Sequence, residues 1–331
     1  MGEDVDRVRA IVQSGYGSVE TLRVAEVEDP VVTPDEVLLR VRVASVHAGD
    51  VLLMQGRPLL FRAGTGLRRP RNPIPGYDVA GTIVEVGSKV SQFKPGDQVF
   101  GNGRSTLAEL ATAKPSQLVM KPEGISFTDA GVLTVSGLTA LRAVQQVGRV
   151  APGQRVLING AAGGIGTFAV QIAKAAGAEV TGVCSGGKAA LVRSIGADHV
   201  IDYTVDDFTA GSITYDFILD NVGNRSLSQC RRVLATGGTL IPNSGTAGGS
   251  LVGPLFRMGH ALAVSPFTTQ NLRVFVSIPN PQDLAALRDL VESGVVTPVI
   301  GSTYSLDDAP KAFAHIASGH AVGKAAIEVA D

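Results

Sequence analysis

Over the first 121 residues, apolar and polar positions alternate with a period near two, and after that the pattern changes. Residues 8–12 alternate, Gly15-Tyr16-Gly17 turns the chain, and 36–46 form a long strand pattern behind a loop bracketed by Pro30 and Pro34. Residues 47–56 predict a loop and a short helix. The runs 78–87, 94–101, 108–112 and 117–121 are further strands bounded by turn residues. Together they predict an antiparallel, barrel-like β unit with little helix. At about Ser126 a helical period takes over through 147, with Ser126 or Thr128 placed to cap it. From Val156 onward strands (156–158, 179–183, 199–202, 216–219, 239–242) alternate with helices (165–176, 187–194, 226–234). That alternation predicts a parallel sheet with right-handed crossovers. A helix near 255–264, a strand at 272–278, an amphipathic helix at 282–293 and strands at 295–300 and 325–329 complete the reading.

The turn between the strand 156–158 and the helix after it reads Asn159-Gly160-Ala161-Ala162-Gly163-Gly164-Ile165-Gly166. Aligned on G-x-G-x-x-G, the three positions are Ala161, Gly163 and Gly166, so the first departs from glycine. Gly163 would let the backbone approach a pyrophosphate, and Gly166 would let helix and sheet pack closely. Gly164 and Ile165 open a helix whose unpaired N–H groups and positive dipole end suit phosphate. Strand, glycine turn, helix is the context in which this fingerprint signals a dinucleotide. An ordinary tight turn is the alternative. Gly177 stands where a helix ends.

The totals narrow the class. A chain of 331 residues suggests two domains. With 44% hydrophobic and 18% charged residues it can form a sizeable core. A net charge of −1 argues against binding nucleic acid through phosphates. Two cysteines, Cys184 and Cys230, both in apolar stretches, are too few for a disulfide scaffold and suggest reduced thiols and a cytoplasmic location. The polar, acidic N-terminus lacks a signal core. No apolar run of about 18 residues occurs, so no membrane partner is expected. Residues 57–75 carry Arg57, Arg62, Arg68, Arg69 and Arg71. They form either a solvated loop or a lip that steers an anionic substrate or the cofactor phosphates.

Several motifs fall in order: Val37-Leu38-Leu39-Arg40-Val41, Pro75-Gly76-Tyr77-Asp78-Val79-Ala80-Gly81, Lys94-Pro95-Gly96-Asp97-Gln98-Val99, Ser136-Gly137-Leu138-Thr139-Ala140, the glycine turn, Gly196-Ala197-Asp198, and Gly319-His320-Ala321-Val322-Gly323-Lys324. Through them the chain resembles the medium-chain dehydrogenase/reductase superfamily over nearly its full length. It is most similar to the zinc-free quinone oxidoreductase (zeta-crystallin-like) branch. The resemblance implies an α/β Rossmann domain, a doubly wound parallel sheet, at 126–278. It also implies a GroES-like, mainly-β catalytic domain from 1–125 and 279–331, with the active site between the two. A homodimer formed along the edge 272–278 is implied as well.

The zinc branch of that superfamily places ligands near residue 47, at a Gly-His-Glu near residue 77 and at a later Cys. Here the second position reads Gly76-Tyr77-Asp78 and no Cys precedes Cys184, so only His47 remains for a metal that needs about three protein ligands. No metal is expected. For the cofactor, residues 181–190 hold no acid to bond the ribose hydroxyls. Ser185 and Lys188 offer a donor and a charge, and Tyr203 lies where relatives touch a 2′-phosphate. NADPH is therefore expected over NADH. By resemblance Thr139 lies near the nicotinamide, Asn221, Val222, Asn243 and Ser244 line the adenosine and ribose side, and Phe275 and Val276 flank the nicotinamide.

Without a metal, a quinone or an α,β-unsaturated carbonyl is the easier hydride acceptor, because conjugation spreads the developing charge. His47 stands where relatives commonly carry Asn. It either donates to the substrate oxygen, since an imidazole titrates near neutrality, or is a structural histidine bonded to backbone. Asp50 would orient its loop. Tyr77 would offer its phenol to the cleft, or pack as a core ring. The expected activity is an NADPH-dependent quinone or enone reductase acting on a small-molecule substrate. The alternatives are an enoyl reductase of a biosynthetic thioester and a non-catalytic NADPH-binding protein.

Overall fold

In the computed structural model residues 7–244 and 254–329 are described; the first six residues and the glycine-rich 245–253 lie outside the described residues. The chain begins with a hairpin of β1 (Arg7–Gln13) and β2 (Leu22–Glu28). Next come β3 (Val37–Val46), α1 (Ala48–Gln55), α2 (Arg62–Thr65), β4 (Asp78–Val86), β5 (Gln98–Asn102), β6 (Leu110–Ala113) and β7 (Leu118–Met120). Two short helices, α3 (Phe127–Gly131) and α4 (Thr134–Leu141), lead to β8 (Arg155–Asn159), α5 (Gly164–Ala175), β9 (Glu179–Cys184), α6 (Ala189–Ser194) and β10 (His199–Asp202). Then follow β11 (Tyr215–Asp220), α7 (Leu227–Arg232), β12 (Leu234–Pro242), α8 (Pro254–Val264) and β13 (Asn271–Leu272). The chain closes with α9 (Pro281–Glu292), β14 (Ile300–Ser305), α10 (Ala309–Ala317) and β15 (Lys324–Glu328).

Two sheets organise the molecule. One runs β14-β15-β3-β4-β5-β7, with β6 also on β3. Its pairings are antiparallel except β14 with β15. The late strand β15 lies between β14 and β3, so both ends of the chain build this sheet. The other runs β10-β9-β8-β11-β12-β13 and is wholly parallel. Its order reverses between β8 and β11, the switch point at which doubly wound sheets bind ligands. β8 reads as a continuous apolar run because both faces are covered. Val156 and Ile158 pack under α4 and α5, while Leu157 faces Ile218, Leu240 and Cys230.

Three expectations are corrected. The helix over 127–147 is broken: α3 is capped by Ser126, α4 starts afresh where Asp78 Oδ1 accepts the Val135 N–H at 2.8 Å, and 142–147 form a π-helical turn. The strand at 272–278 stops at Leu272. Arg273 N still donates to Leu240 O, but the Arg142 guanidinium takes the carbonyls of Val276 and Ile278, so the segment leaves the ladder. The strand at 295–300 begins only at Ile300, because Gln171 binds both backbone groups of Thr297 and ties that stretch to α5. The first β unit contains the short helices α1 and α2, in keeping with the little helix and the short helix at 47–56 expected of it.

Candidate active site

β8 delivers the chain to Gly160 at a left-handed φ of 79°, and Gly163 is the N-cap of α5 with no side chain bonded there. The N–H groups of Gly164, Ile165 and Gly166 thus open a twelve-residue helix without a competing cap. A Cβ on Gly166 would strike the Gly160 carbonyl oxygen, which explains glycine there. Ala161 is buried and donates its N–H to Val183 O at 3.0 Å, so a side chain is tolerated at the fingerprint's first position. This cradle fits the pyrophosphate of a dinucleotide. Gly177 ends the helix at a φ of 80°.

Ser185 and Lys188 form a tight turn after β9, with Lys188 N bonded to Ser185 O. Lys188 Nζ donates to His320 O at 2.8 Å, so the turn is tied to the loop before β15. Tyr203, exposed, follows β10. One feature was not legible in the linear sequence: β10 brings the Asp202 carboxylate to the same turn. Hydrogen bonds from Thr204 N–H, the Thr204 hydroxyl and Gly186 N–H hold Asp202 below the usual carboxylate range.

At the ends of β11 and β12, Asp220 organises the crevice. Its Oδ1 accepts from Asn159 Nδ2, Val222 N and Gly223 N, and its Oδ2 receives Arg257 Nη2 at 2.5 Å. Arg257 Nη1 also donates to Ser244 O, so one buried guanidinium from α8 fastens both loops. Asn243 Nδ2 donates to Asn221 Oδ1, and Asn221 Nδ2 is buried without a partner. Cys230, in contact with this pair, is free and buried, and its thiol is pushed up to about 12 chiefly by burial. Cys184 is likewise free and buried. Thr139 is buried and bonds back to Val135 O. Phe275 packs against the core under α5, while the Val276 side chain is exposed and its carbonyl is held by Arg142.

The opposite wall is built on β3, α1 and β4. His47 is the N-cap of α1: its Nδ1 accepts from Asp50 N at 3.3 Å, and Asp50 Oδ2 accepts from His47 N at 2.9 Å. This reciprocal cap is the structural role weighed for His47. His47 Nε2 and Asp50 Oδ1 are both buried without a hydrogen-bond partner. Burial pushes the Asp50 carboxyl up, and His47 opposes that shift. Asp50 and Tyr77 line a cavity of about 260 Å³ together with Met54, Thr65, Arg71 and Asn72. Tyr77 is 41% exposed, so it is no core ring; burial, then Asp50, raises its phenol.

Between cavity and glycine turn lies a buried polar group absent from the expected site. Lys324 Nζ meets Asp78 Oδ2 at 3.3 Å and Ser136 Oγ at 3.1 Å, and Ser45 Oγ donates to Asp78 Oδ2 at 2.6 Å. Gly323 N donates to Ala162 O at 2.8 Å, which sets Lys324 against the glycine turn. Both residues lie within the quoted motifs, but their pairing joins positions 246 residues apart.

Two domain models match. A model described as alcohol dehydrogenase GroES-like domain covers residues 33–123, and one described as zinc-binding dehydrogenase covers 195–327. The chain is 34% identical over 361 residues to NAD(P)H oxidoreductase RTN4IP1, mitochondrial, of Bos taurus, covering 95% of this chain and 87% of that protein. It is 30% identical over 335 residues to the 2-methylene-furan-3-one reductase of Solanum lycopersicum, covering 97% and 79%. The quinone oxidoreductase from Coxiella burnetii superposes with a TM-score of 0.87 at 27% identity, covering 98% of this chain and all of that one, 100%. A zinc site does not fit here: His47 Nδ1 is engaged in the helix cap, Tyr77 stands at the second position, and no three His, Cys, Asp or Glu side chains converge among the described residues.

Proposed function

The chain belongs to the medium-chain dehydrogenase/reductase superfamily, in its zinc-free quinone oxidoreductase branch, and from that premise we propose that it reduces a quinone or an α,β-unsaturated carbonyl with hydride from NADPH. The observation that carries the reading is the uncapped start of α5 on one side of Lys324 with the Asp50- and Tyr77-lined cavity on the other. The dinucleotide, when bound, supplies the hydride.

The chain's own residues do the rest. Gly163, Gly164 and Ile165, with Ala161 beneath them, cradle the pyrophosphate. Asn221, Val222, Asn243 and Ser244, fastened by Asp220 and Arg257, line the ribose side, and Thr139, Phe275 and Val276 border the nicotinamide. Ser185, Lys188 and Tyr203 receive the 2′-phosphate. Lys188 needs only to leave the His320 carbonyl for a phosphate oxygen, a stronger charge-assisted acceptor. Hydrogen bonds from Thr204 and Gly186 keep the Asp202 carboxylate ionised beside this turn, so Lys188 and Ser185 hold the 2′-phosphate against that charge.

Hydride adds to a conjugated carbon of the acceptor, and negative charge develops on its oxygen. The Tyr77 phenol, kept protonated by burial and by Asp50, donates to that oxygen. His47 and Asp50 hold the cavity floor in register through the helix cap. The names of the tomato and Coxiella relatives, an enone reductase and a quinone oxidoreductase, support this acceptor class. We propose that the active chain forms a homodimer along 272–278.

Stopped-flow mixing of the NADPH-loaded protein with a panel of quinones and enones tests the reading. NADPH oxidation with at least one class is expected, and none with any of them overturns it. Tight NADPH binding without turnover would instead assign a binding protein.

A further inference from the structure

We propose that the loop 57–75 docks the protein onto an anionic lipid surface. In this arrangement Leu59, Leu60, Phe61 and Leu67 enter the acyl boundary, and Arg57, Arg68 and Arg69 lie among the headgroups. The loop holds five arginines and no Asp, Glu or Lys in a chain whose net charge is −1, so its charge is a local concentration. Within nine of its residues it also exposes four large apolar side chains: Leu59 at 37%, Leu60 at 57%, Phe61 at 42% and Leu67 at 75%. Single exposed apolar residues are ordinary, but a cluster rimmed by cations is the composition of a membrane-surface segment.

The loop is built rather than loose. The Arg62 guanidinium stacks on the Tyr16 ring at 4.4 Å and donates to Gly56 O at 3.0 Å. Tyr16 Oη donates to Gly66 O at 2.7 Å, and Arg71 N donates to Thr65 O at 2.7 Å. These bonds fasten the loop from beneath through Arg62, Tyr16, Thr65 and Arg71. The leucines and Phe61 are left on the outside.

The excess of positive charge favours an anionic surface over a zwitterionic one. The loop is also the outer wall of the cavity, where Gly64, Thr65, Pro70 and Arg71 face Asp50 and Tyr77. An apolar acceptor dissolved in the bilayer would therefore enter past the loop without crossing water, a consequence that rests on the proposed function. No helix among the described residues is long and apolar enough to cross a membrane, and a surface contact needs none.

Flotation of the full chain with phosphatidylcholine vesicles, with and without phosphatidylglycerol, tests the proposal. Wild type is expected to float only with phosphatidylglycerol and to be released by high salt. Arg68→Gln with Arg69→Gln should weaken binding by about fivefold for each charge removed, and Leu60→Ser with Phe61→Ser should abolish flotation. None of these four residues lines the cavity, so both variants should melt like wild type and reduce a short, water-soluble quinone at the wild-type rate. Vesicle binding is read without turnover, so a failure of the proposed activity leaves this result distinct. The docking surface is overturned if wild type does not float with phosphatidylglycerol, or if both folded variants float like wild type. It is also overturned if the loop binds a soluble long-chain acyl-coenzyme A while vesicles are ignored.

Discussion

Nε2 of His47 stands 3.3 Å from Oδ2 of Asp50 without the alignment of a hydrogen bond, while the backbone of each residue is bonded to the other's side chain. The pair thus caps α1 and at the same time places a buried carboxyl at the cavity. Burial, the largest influence on Asp50, raises its pKa. A carboxyl with a raised folded pKa contributes stability that is full below its unfolded value, about 3.9, and is lost as pH rises through the folded one. Asp50→Asn keeps an acceptor for His47 N but cannot ionise. Its melting temperature is therefore expected to gain on wild type as pH rises above the ordinary carboxylate value. A difference that stays constant from about pH 3 to about pH 8 would show that Asp50 titrates normally.

Tyr77 shares that cavity, and in the proposed mechanism its hydroxyl donates to the substrate oxygen. Tyr77→Phe is expected to lower kcat by about a hundredfold, the cost of one lost donor at a developing oxyanion, with NADPH affinity unchanged. An unchanged kcat would reduce Tyr77 to a shaping role. His47→Asn, which can keep a helix cap, separates the imidazole's chemistry from its capping: a normal rate in that variant leaves His47 structural.

The proposed function has the cofactor's 2′-phosphate read at Ser185 and Lys188. Lys188→Met is expected to lower kcat/KM for NADPH by about ten- to a hundredfold, as loss of a charge-assisted hydrogen bond does, and to leave NADH unaffected. Equal efficiency of wild type with both cofactors would sink the assignment.

Much of this site was legible in the sequence because it depends on local grammar. The glycine turn between β8 and α5, Gly177 at the end of α5 and Ser126 at the cap of α3 are set by residues a few positions apart. The two sheets follow from a period of two giving way to strand–helix alternation. What escaped is what the fold brings from afar. Asp202 reaches the Ser185 turn from the next strand, and Arg257 reaches Asp220 from α8. Lys324 meets Asp78 because β15 rejoins the first sheet. None of these pairs leaves a spacing to read. The strand expected at 272–278 failed for the same reason, since Arg142 lies far back in the chain.

The Lys324–Asp78 pair is buried and joins β15, β4 and the start of α4. Removing one partner strands the other charge. Lys324→Met is therefore expected to destabilise by about 3–5 kcal/mol and to weaken dinucleotide binding, because Gly323 and the glycine turn share backbone bonds. Lys324→Met with Asp78→Leu should recover part of the stability but not the affinity. Urea titration and cofactor fluorescence measure the two separately. Full recovery of affinity would show that the pair acts on stability alone.

Arg142 draws the segment after β13 away from the sheet: it holds the Val276 and Ile278 carbonyls while its Nε is paired with Asp283. This leaves Val276 77% and Ile278 63% exposed in the segment that follows the last strand of the parallel sheet. Apolar side chains along an open edge invite pairing, and a second copy across a two-fold axis covers both edges at once. Wild type is expected to sediment as a dimer. Val276→Asp with Ile278→Asp places four like charges across the axis and should give a folded monomer with the same near-ultraviolet dichroism. A wild type that sediments as a monomer, or a charged variant that remains dimeric, removes this edge as the interface.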